Sequence, residues 1–254
     1  MEILNNFDWQ RAPPLYSLEI ALSTSAAYIL LCVFHKIYFG ENPKEMSIYK
    51  RIEWFLPYHN IILSGGSLIM LLGVAVCVYY RSLEENSFVW LLCESESTRP
   101  KGALWFWSYV YYLSKYYELL DTFMQLMRGK YPPHYLLHAW HHGAVIIMSW
   151  VWIHHAASMQ FIGIMFNTLV HVIMYYYYYL KTQKIEPKWK RYVTKLQIVQ
   201  FATSFVCFVG TLYLNFMEQR QCKGMEILYG SICFNLTLFF GFINVSLSGR
   251  KKNN

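Results

Sequence analysis

Long apolar segments alternate with short polar stretches along the whole chain. A helix needs about 20 mostly apolar residues to cross a lipid bilayer, and each apolar segment approaches that length. We therefore predict seven transmembrane helices, at 16–38, 59–81, 103–127, 135–155, 157–180, 193–215 and 225–248. Because these segments occupy most of residues 1–254, the pattern predicts one all-α, multi-pass membrane domain.

The amount and placement of charge support a membrane protein and predict its orientation. Charged residues make up only 15% of the chain, against about 25% in soluble domains. With the N-terminus on the luminal side, 15 Lys and Arg residues fall on the cytosolic side and six on the luminal side. This bias predicts a cytosolic C-terminus. It also accounts for the net charge of +7 without any binding of nucleic acid.

Residues 249–254 form a predicted cytosolic tail that ends in Lys251, Lys252, Asn253 and Asn254. This KKxx ending resembles the dilysine retrieval signal of endoplasmic reticulum membrane proteins, which is read from the cytosol. The sequence therefore predicts residence in the endoplasmic reticulum membrane.

Two of the six cysteines, Cys93 and Cys222, lie in loops, and both loops are predicted to be luminal. An oxidising lumen favours a disulfide between them. Because the distance between two cysteines cannot be read from sequence, two free thiols are the open alternative.

The fourth segment carries three histidines, His138, His141 and His142, at positions i, i+3 and i+4. Residues with this spacing share one face of a helix. Ionisable side chains at such a depth in an apolar segment are costly and indicate a functional site.

Three other segments carry polar residues along one helix face in their predicted cytosolic halves, and we call each such row a polar stripe. We therefore expect four helices to converge on one polar chamber. The stripes are Lys115, Glu118, Asp121 and Thr122 on the third segment, Asn167, His171, Met174, Tyr175 and Tyr178 on the fifth, and Thr194, Gln197 and Gln200 on the sixth.

The loop between the fifth and sixth segments is basic and predicted to be cytosolic. Its cations could serve orientation alone, or they could bind the phosphates of a nucleotide-bearing substrate such as coenzyme A. The candidate phosphate contacts are Lys184, Lys188, Lys190 and Arg191.

Four motifs, in this order, resemble those of the ELO family of very-long-chain fatty acid elongases. KYYELLDT at 115–122 resembles K-x-x-E-x-x-D-T, and HAWHH at 138–142 resembles H-x-x-H-H. HVIMYYYY at 171–178 resembles H-x-x-M-Y-x-Y-Y, and TKLQIVQ at 194–200 resembles T-x-x-Q-x-x-Q. Together with seven predicted spans and the dilysine ending, these motifs make the resemblance specific.

The resemblance implies a 3-ketoacyl-CoA synthase, an acyltransferase of fatty acid biosynthesis. Such an enzyme condenses a fatty acyl-CoA with malonyl-CoA and releases carbon dioxide and coenzyme A, without a further cofactor or metal. The resemblance also implies a partial helical barrel that encloses an acyl tunnel. A ketoacyl-CoA reductase, a dehydratase and an enoyl-CoA reductase would be partners in the same lipid membrane, and a homo-oligomer is compatible with the pattern.

No cysteine lies among the four polar stripes, so an imidazole is the available nucleophile. We expect His141 to form an acyl-imidazole and His171 to face it across the chamber. His138 and His142 would handle protons, and Asp121 would fix a histidine tautomer. We assign the remaining stripe residues other than Thr122 to substrate binding, with Asn167 or Gln197 donating to the enolate. These residues are Lys115, Glu118, Asn167, Met174, Tyr175, Tyr178, Thr194, Gln197 and Gln200.

Two alternatives belong to other classes. A membrane di-iron fatty acid desaturase or hydroxylase also uses an H-x-x-H-H box, but it surrounds two irons with histidines from three boxes. The predicted cytosolic halves hold five histidines, with His134 as the fifth beside the four already named. A seven-span receptor or transporter would not require an ionisable cluster on four helices.

Overall fold

The computed structural model describes residues 2–40, 50, 53–132 and 134–251. Within these ranges the chain is helical, and seven long helices account for most of it. They are α1 (Leu18–Phe39), α2 (Phe55–Glu84), α3 (Ala103–Met127), α4 (Tyr135–His154), α5 (Gln160–Thr182), α6 (Lys190–Leu212) and α7 (Met225–Lys251). Single helical turns occur at Glu2–Asn5, Trp9–Arg11 and Val89–Leu91, and a π-helical turn, Tyr213–Met217, extends α6. The end of the predicted dilysine signal, 252–254, lies outside the described residues.

Each long helix overlaps one predicted segment, and the differences lie at the ends. α2 is longer than predicted at both ends. It begins at Phe55, and its polar last turn stays helical, with the Arg81 guanidinium bonded to Glu85 at 2.7 Å and to Glu94 at 2.6 Å. α5 begins at Gln160, three residues later than predicted. Ser158 and Met159 instead donate their backbone N–H groups to carbonyls of two other loops, each at 3.1 Å.

Five of the seven helices are long and apolar enough to cross a membrane, so the chain is a multi-pass membrane protein. They are α1, α2, α5, α6 with its π-helical turn, and α7. The remaining helices, α3 and α4, have 25 and 20 residues. Polar side chains interrupt both, since α3 carries the Lys115 stripe and α4 carries the histidine box.

Six of the helices close a ring. Going round it, α2 packs against α3, α3 against α4, α4 against α7, α7 against α6, α6 against α5, and α5 against α2. α1 lies outside this ring and packs against α4, where the Ser25 hydroxyl donates to the carbonyl of Gly143 at 2.8 Å. The backbone of α1 is therefore not part of the wall that surrounds the ring interior.

Three loops and the N-terminal segment meet at one end of the ring, which we call the capped end. A disulfide between Cys93 and Cys222 joins the α2–α3 loop to the α6–α7 loop. The backbone N–H of Ser158, in the α4–α5 loop, donates to the carbonyl of Lys223, and Trp9 donates to the carbonyl of Pro100. Because the α2–α3, α4–α5 and α6–α7 loops all lie at this end, successive ring helices alternate in direction.

Large buried aromatic side chains fill the part of the ring below the cap. The rings of Trp105 and Trp90 pack on Phe161 at 5.1 Å and 6.0 Å. Trp9 reaches in from the N-terminal segment, and its indole N–H donates to His154 at 3.2 Å. This aromatic core holds the cap in place and leaves the opposite half of the ring interior to polar side chains.

Candidate active site

The histidine box occupies the first two turns of α4. His134 precedes the helix with a positive φ of 54° and is exposed, so it stands outside the cluster. The His138 and His142 rings lie 4.3 Å apart, and those of His141 and His142 lie 5.1 Å apart. The spacing along the helix thus brings the three imidazoles into one cluster, as the sequence predicts.

A buried ion pair faces the box from α3. The Lys115 ammonium lies 2.7 Å from Oε1 of Glu118, and both side chains are 1% exposed. Lys115 also donates to Oδ1 of Asn167 on α5 at 3.0 Å, and the Tyr111 hydroxyl donates to the same oxygen at 3.1 Å. His171, one turn further along α5, places Nδ1 3.5 Å from Oε1 of Glu118. These bonds link α3 and α5 across the ring interior.

Three buried side-chain atoms among the described residues have no hydrogen-bond partner, and all three belong to this cluster. They are Oε2 of Glu118, Nδ1 of His141 and Nδ1 of His142. Buried polar atoms are nearly always paired in folded proteins. A concentration of unpaired atoms at one place indicates where the polar groups of a substrate would bind.

Asp121 makes its hydrogen bonds outside the box, so its predicted role in fixing a tautomer there stays a prediction. Its carboxylate lies 2.7 Å from Nε2 of His59 and accepts from the Tyr175 hydroxyl at 2.5 Å. Thr122 lies 2.8 Å from Nε2 of His138 instead. Successive residues of a helix point about 100° apart, so Asp121 faces α2 and α5 while Thr122 faces α4.

His59 is a member of the cluster that the sequence pattern does not reveal. It falls on the first residue of the predicted second segment, where a histidine is ordinary at a membrane interface. Since α2 begins at Phe55, His59 lies a full turn inside the helix and is 0% exposed. The only sequence signal for its role is that two polar residues, His59 and Asn60, stand together at the start of an apolar run.

An apolar cavity begins beside the box and runs towards the capped end. It encloses about 720 Å³ of empty space, including the part open to solvent. His141, Asn167 and Gln200 line its polar end, and Met159 and Trp152 line the other end. Eleven residues of α4 separate His141 from Trp152, which corresponds to about 16 Å along the helix. The lining thus extends from the cluster towards the capped end and is mostly apolar, with Ser158, Gln160 and Ser231 as polar side chains near the cap.

The other predicted substrate-binding residues lie on α5 and α6. Gln197 donates to the Met174 sulfur at 3.7 Å, which joins these two helices. Tyr175 is fully buried, whereas Tyr178 is 43% exposed and packs on Tyr175 with ring centroids 6.1 Å apart. Thr194 is half-buried near the start of α6.

The predicted phosphate contacts lie at the end of the ring opposite the cap. Lys184 and Lys188 belong to the α5–α6 loop, and Lys190 and Arg191 begin α6. All four side chains are exposed. They are therefore available to an anion that approaches from this side.

The described part of the chain contains no group of three or more His, Cys, Asp or Glu side chains arranged to hold a metal ion. The donor set of a di-iron centre is therefore not assembled among these residues.

Known proteins match most of the chain. The ELO model, described as the GNS1/SUR4 family, matches residues 13–249. Fatty acid elongase sre1 of Dictyostelium discoideum is 39% identical over 204 residues, which are 78% of this chain and 72% of the relative. Putative fatty acid elongase 1 of Schizosaccharomyces pombe is 30% identical over 92% of this chain and 71% of its own. Very long chain fatty acid elongase 4 of Mus musculus is 41% identical over 58% of this chain and 46% of its own.

Proposed function

The chain belongs to the GNS1/SUR4 family, the ELO family, and from that premise we propose how its buried histidines carry out the reaction of a fatty acid elongase. The resemblance read from the four motifs is confirmed. The chain is a condensing enzyme of fatty acid elongation, a 3-ketoacyl-CoA synthase. Its substrates are a fatty acyl-CoA and malonyl-CoA, and no cofactor takes part in the proposed steps.

In the first step, an imidazole nitrogen of His141 attacks the thioester carbonyl carbon of the acyl-CoA. The carbon–sulfur bond breaks, coenzyme A leaves as a thiol, and the acyl group stays on the imidazole. One observation carries this assignment: His141 lines the apolar cavity and keeps Nδ1 buried without a partner. No cysteine is among the described residues that line the cavity, so the usual thiol nucleophile has no candidate there.

In the second step, malonyl-CoA loses carbon dioxide, and the resulting carbanion attacks the carbonyl carbon of the acyl-imidazole. The new carbon–carbon bond displaces His141, which is then free for another cycle. The amide N–H of Asn167, at the edge of the cavity, would donate to the enolate oxygen, and a fixed donor there lowers the barrier. Lys115 holds Asn167 in place by donating to its Oδ1. His171 stands opposite, oriented by Glu118, while His138 and His142 hold the protons that the two steps exchange.

The acyl chain would lie in the apolar cavity with its methyl end towards the cap. The cap closes that end through the Cys93–Cys222 disulfide and the aromatic core. Coenzyme A would then remain at the opposite end, where Lys184 and Arg191 are exposed and can pair with its phosphates. In this arrangement the ring acts as an acyl tunnel with one open end.

We place all seven helices across the endoplasmic reticulum membrane, with the cap in the lumen and the C-terminus in the cytosol. A disulfide in the cap fits an oxidising compartment. Alternating helix directions carry the basic α5–α6 loop to the other side, as the Lys and Arg bias requires. The product would pass to a ketoacyl-CoA reductase, a dehydratase and an enoyl-CoA reductase in the same membrane.

Acyl trapping tests the nucleophile. Purified wild-type enzyme and His141→Ala are mixed with labelled acyl-CoA alone, denatured, and digested for mass spectrometry. We expect label on the peptide that contains His141 and its loss in the variant. His171→Ala should keep the label but fail to release it when malonyl-CoA is added, and His134→Ala, outside the cluster, serves as the matched control.

Full acyl labelling of the His141→Ala variant would contradict the assignment. Metal analysis of the same preparations addresses the oxidative alternative, since two irons per chain would favour a desaturase or hydroxylase. Condensation of acyl-CoA with labelled malonyl-CoA by an iron-free preparation supports the elongase reaction.

A further inference from the structure

A side chain of α1 reaches the histidine box although α1 lies outside the ring. The hydroxyl of Tyr28 lies 2.7 Å from Oγ1 of Thr122, and Thr122 lies 2.8 Å from Nε2 of His138. Tyr28 is 3% exposed and Thr122 is 1% exposed. A continuous, buried row of hydrogen bonds thus runs from the outer helix to the first histidine of the box.

The direction of these bonds follows from the groups involved. A phenol is a stronger donor than an aliphatic alcohol, and a neutral imidazole nitrogen is a good acceptor. The favoured direction is therefore Tyr28 to Thr122 and Thr122 to Nε2 of His138. Bonds that point the same way along a row strengthen one another. Nε2 then accepts, and the proton of neutral His138 resides on Nδ1.

We propose that Tyr28 is a positioning residue that sets the orientation and tautomer of His138 through Thr122. This inference rests on the proposed function, in which the box histidines act together. The His138 ring packs on His142 with centroids 4.3 Å apart, and His142 packs on His141 with centroids 5.1 Å apart. Holding the first ring therefore restrains the two rings that follow it, including the nucleophile.

The same interface offers a matched control. The Tyr135 hydroxyl on α4 donates to the backbone carbonyl of Cys32 on α1 at 2.9 Å. This bond also joins α1 to α4 and is buried, but it ends on backbone and not on the box. Loss of the Tyr135 hydroxyl therefore removes a comparable packing contact without touching the row from Tyr28 to His138.

The test compares steady-state condensation by full-length, detergent-purified variants. We expect Tyr28→Phe and Thr122→Val each to lower kcat by about tenfold, the scale of one lost buried hydrogen bond. KM for acyl-CoA should not change, because the cavity is lined by residues of α3 to α7 and their connections. Thr122→Ser keeps the hydroxyl and should restore kcat, and Tyr135→Phe should match the wild type.

A double variant separates a connected row from two independent packing effects. Because Tyr28 acts only through Thr122, Tyr28→Phe combined with Thr122→Val should be no slower than Thr122→Val alone. The proposal is overturned if the two losses multiply, if Tyr135→Phe loses as much kcat as Tyr28→Phe, or if Tyr28→Phe keeps wild-type kcat. Failure of His141 to carry label in the wild type would refute the nucleophile assignment instead, and that trapping result is independent of Tyr28.

Discussion

Neutralising one partner of the buried pair on α3 should destabilise the protein more than neutralising both. Lys115→Met removes the ammonium and leaves the Glu118 carboxylate 1% exposed. Its remaining contacts are the Ser114 hydroxyl at 3.2 Å and His171 at 3.5 Å. Oε2 of Glu118 already lacks a partner. The variant therefore places an isolated charge in the ring interior.

The magnitude follows from the geometry. At the 2.7 Å separation of Lys115 and Glu118, the attraction is about 6 kcal/mol with an effective dielectric constant of roughly 20. Desolvation of both groups offsets most of this attraction, so the pair itself adds little net stability. Removal of one partner leaves the desolvation of the other uncompensated and should cost about 3–5 kcal/mol. In the double variant Lys115→Met with Glu118→Gln both groups are neutral, and most of that loss should be recovered.

Reversible denaturation in detergent, followed by tryptophan fluorescence, measures the free energies of unfolding. Lys181→Met is the control, because it breaks an exposed pair with Glu186 and should leave stability unchanged. If the double variant were less stable than Lys115→Met, the argument from an uncompensated charge would be refuted. The argument would also be refuted if Lys115→Met had the same denaturation midpoint as the wild type.

Three further changes test the cap and the cavity. Gly224→Ala should cost about 1–3 kcal/mol in thermal unfolding, since φ is +71° and a Cβ would lie 2.9 Å from the backbone of the α4–α5 loop. Gly230→Ala, inside α7 and with open space around it, should not destabilise the protein. Cys93→Ser with Cys222→Ser opens a loop of 129 residues and should lower stability by roughly 2–5 kcal/mol, an effect that reductant should reproduce in the wild type alone. Ser231→Phe fills the end of the cavity next to Trp152 and should shift product chromatograms to shorter chains, so unchanged chain-length preference would contradict the acyl assignment.

The helices and the box could be predicted because their signals are local. Apolar runs of sufficient length place the seven helices, and the i, i+3, i+4 spacing of His138, His141 and His142 determines a shared face in any helix. The ion pair of Lys115 and Glu118 is also local, since residues three apart are neighbours on one helix. These features need no knowledge of which helices pack together.

The contacts between helices could not be predicted in this way. Whether Asp121 or Thr122 faces the box depends on how α3 is rotated about its axis, which the whole ring determines. His59 joins the cluster only because α2 packs between α3 and α5. The bond from Tyr28 likewise depends on where α1 docks. No spacing along the chain carries that information, because the partners lie on different helices, 16 residues apart for Thr122 and His138, 62 for His59 and Asp121, and 94 for Tyr28 and Thr122.

The polar site and the apolar ring depend on each other. The ion pair and the box lie on α3 and α4, the two long helices outside the five candidate spans. Each lies between two other helices of the ring, which cover its polar face. Isolated in lipid, Lys115 or His142 would expose a costly polar group. In the ring, Lys115 pairs with Glu118 and Asn167, so only the few atoms left unpaired remain for substrate. It follows that a variant that opens the ring should lose activity and stability together, whereas removal of a side chain that keeps an unpaired atom for substrate, such as His141→Ala, should cost activity far more than stability.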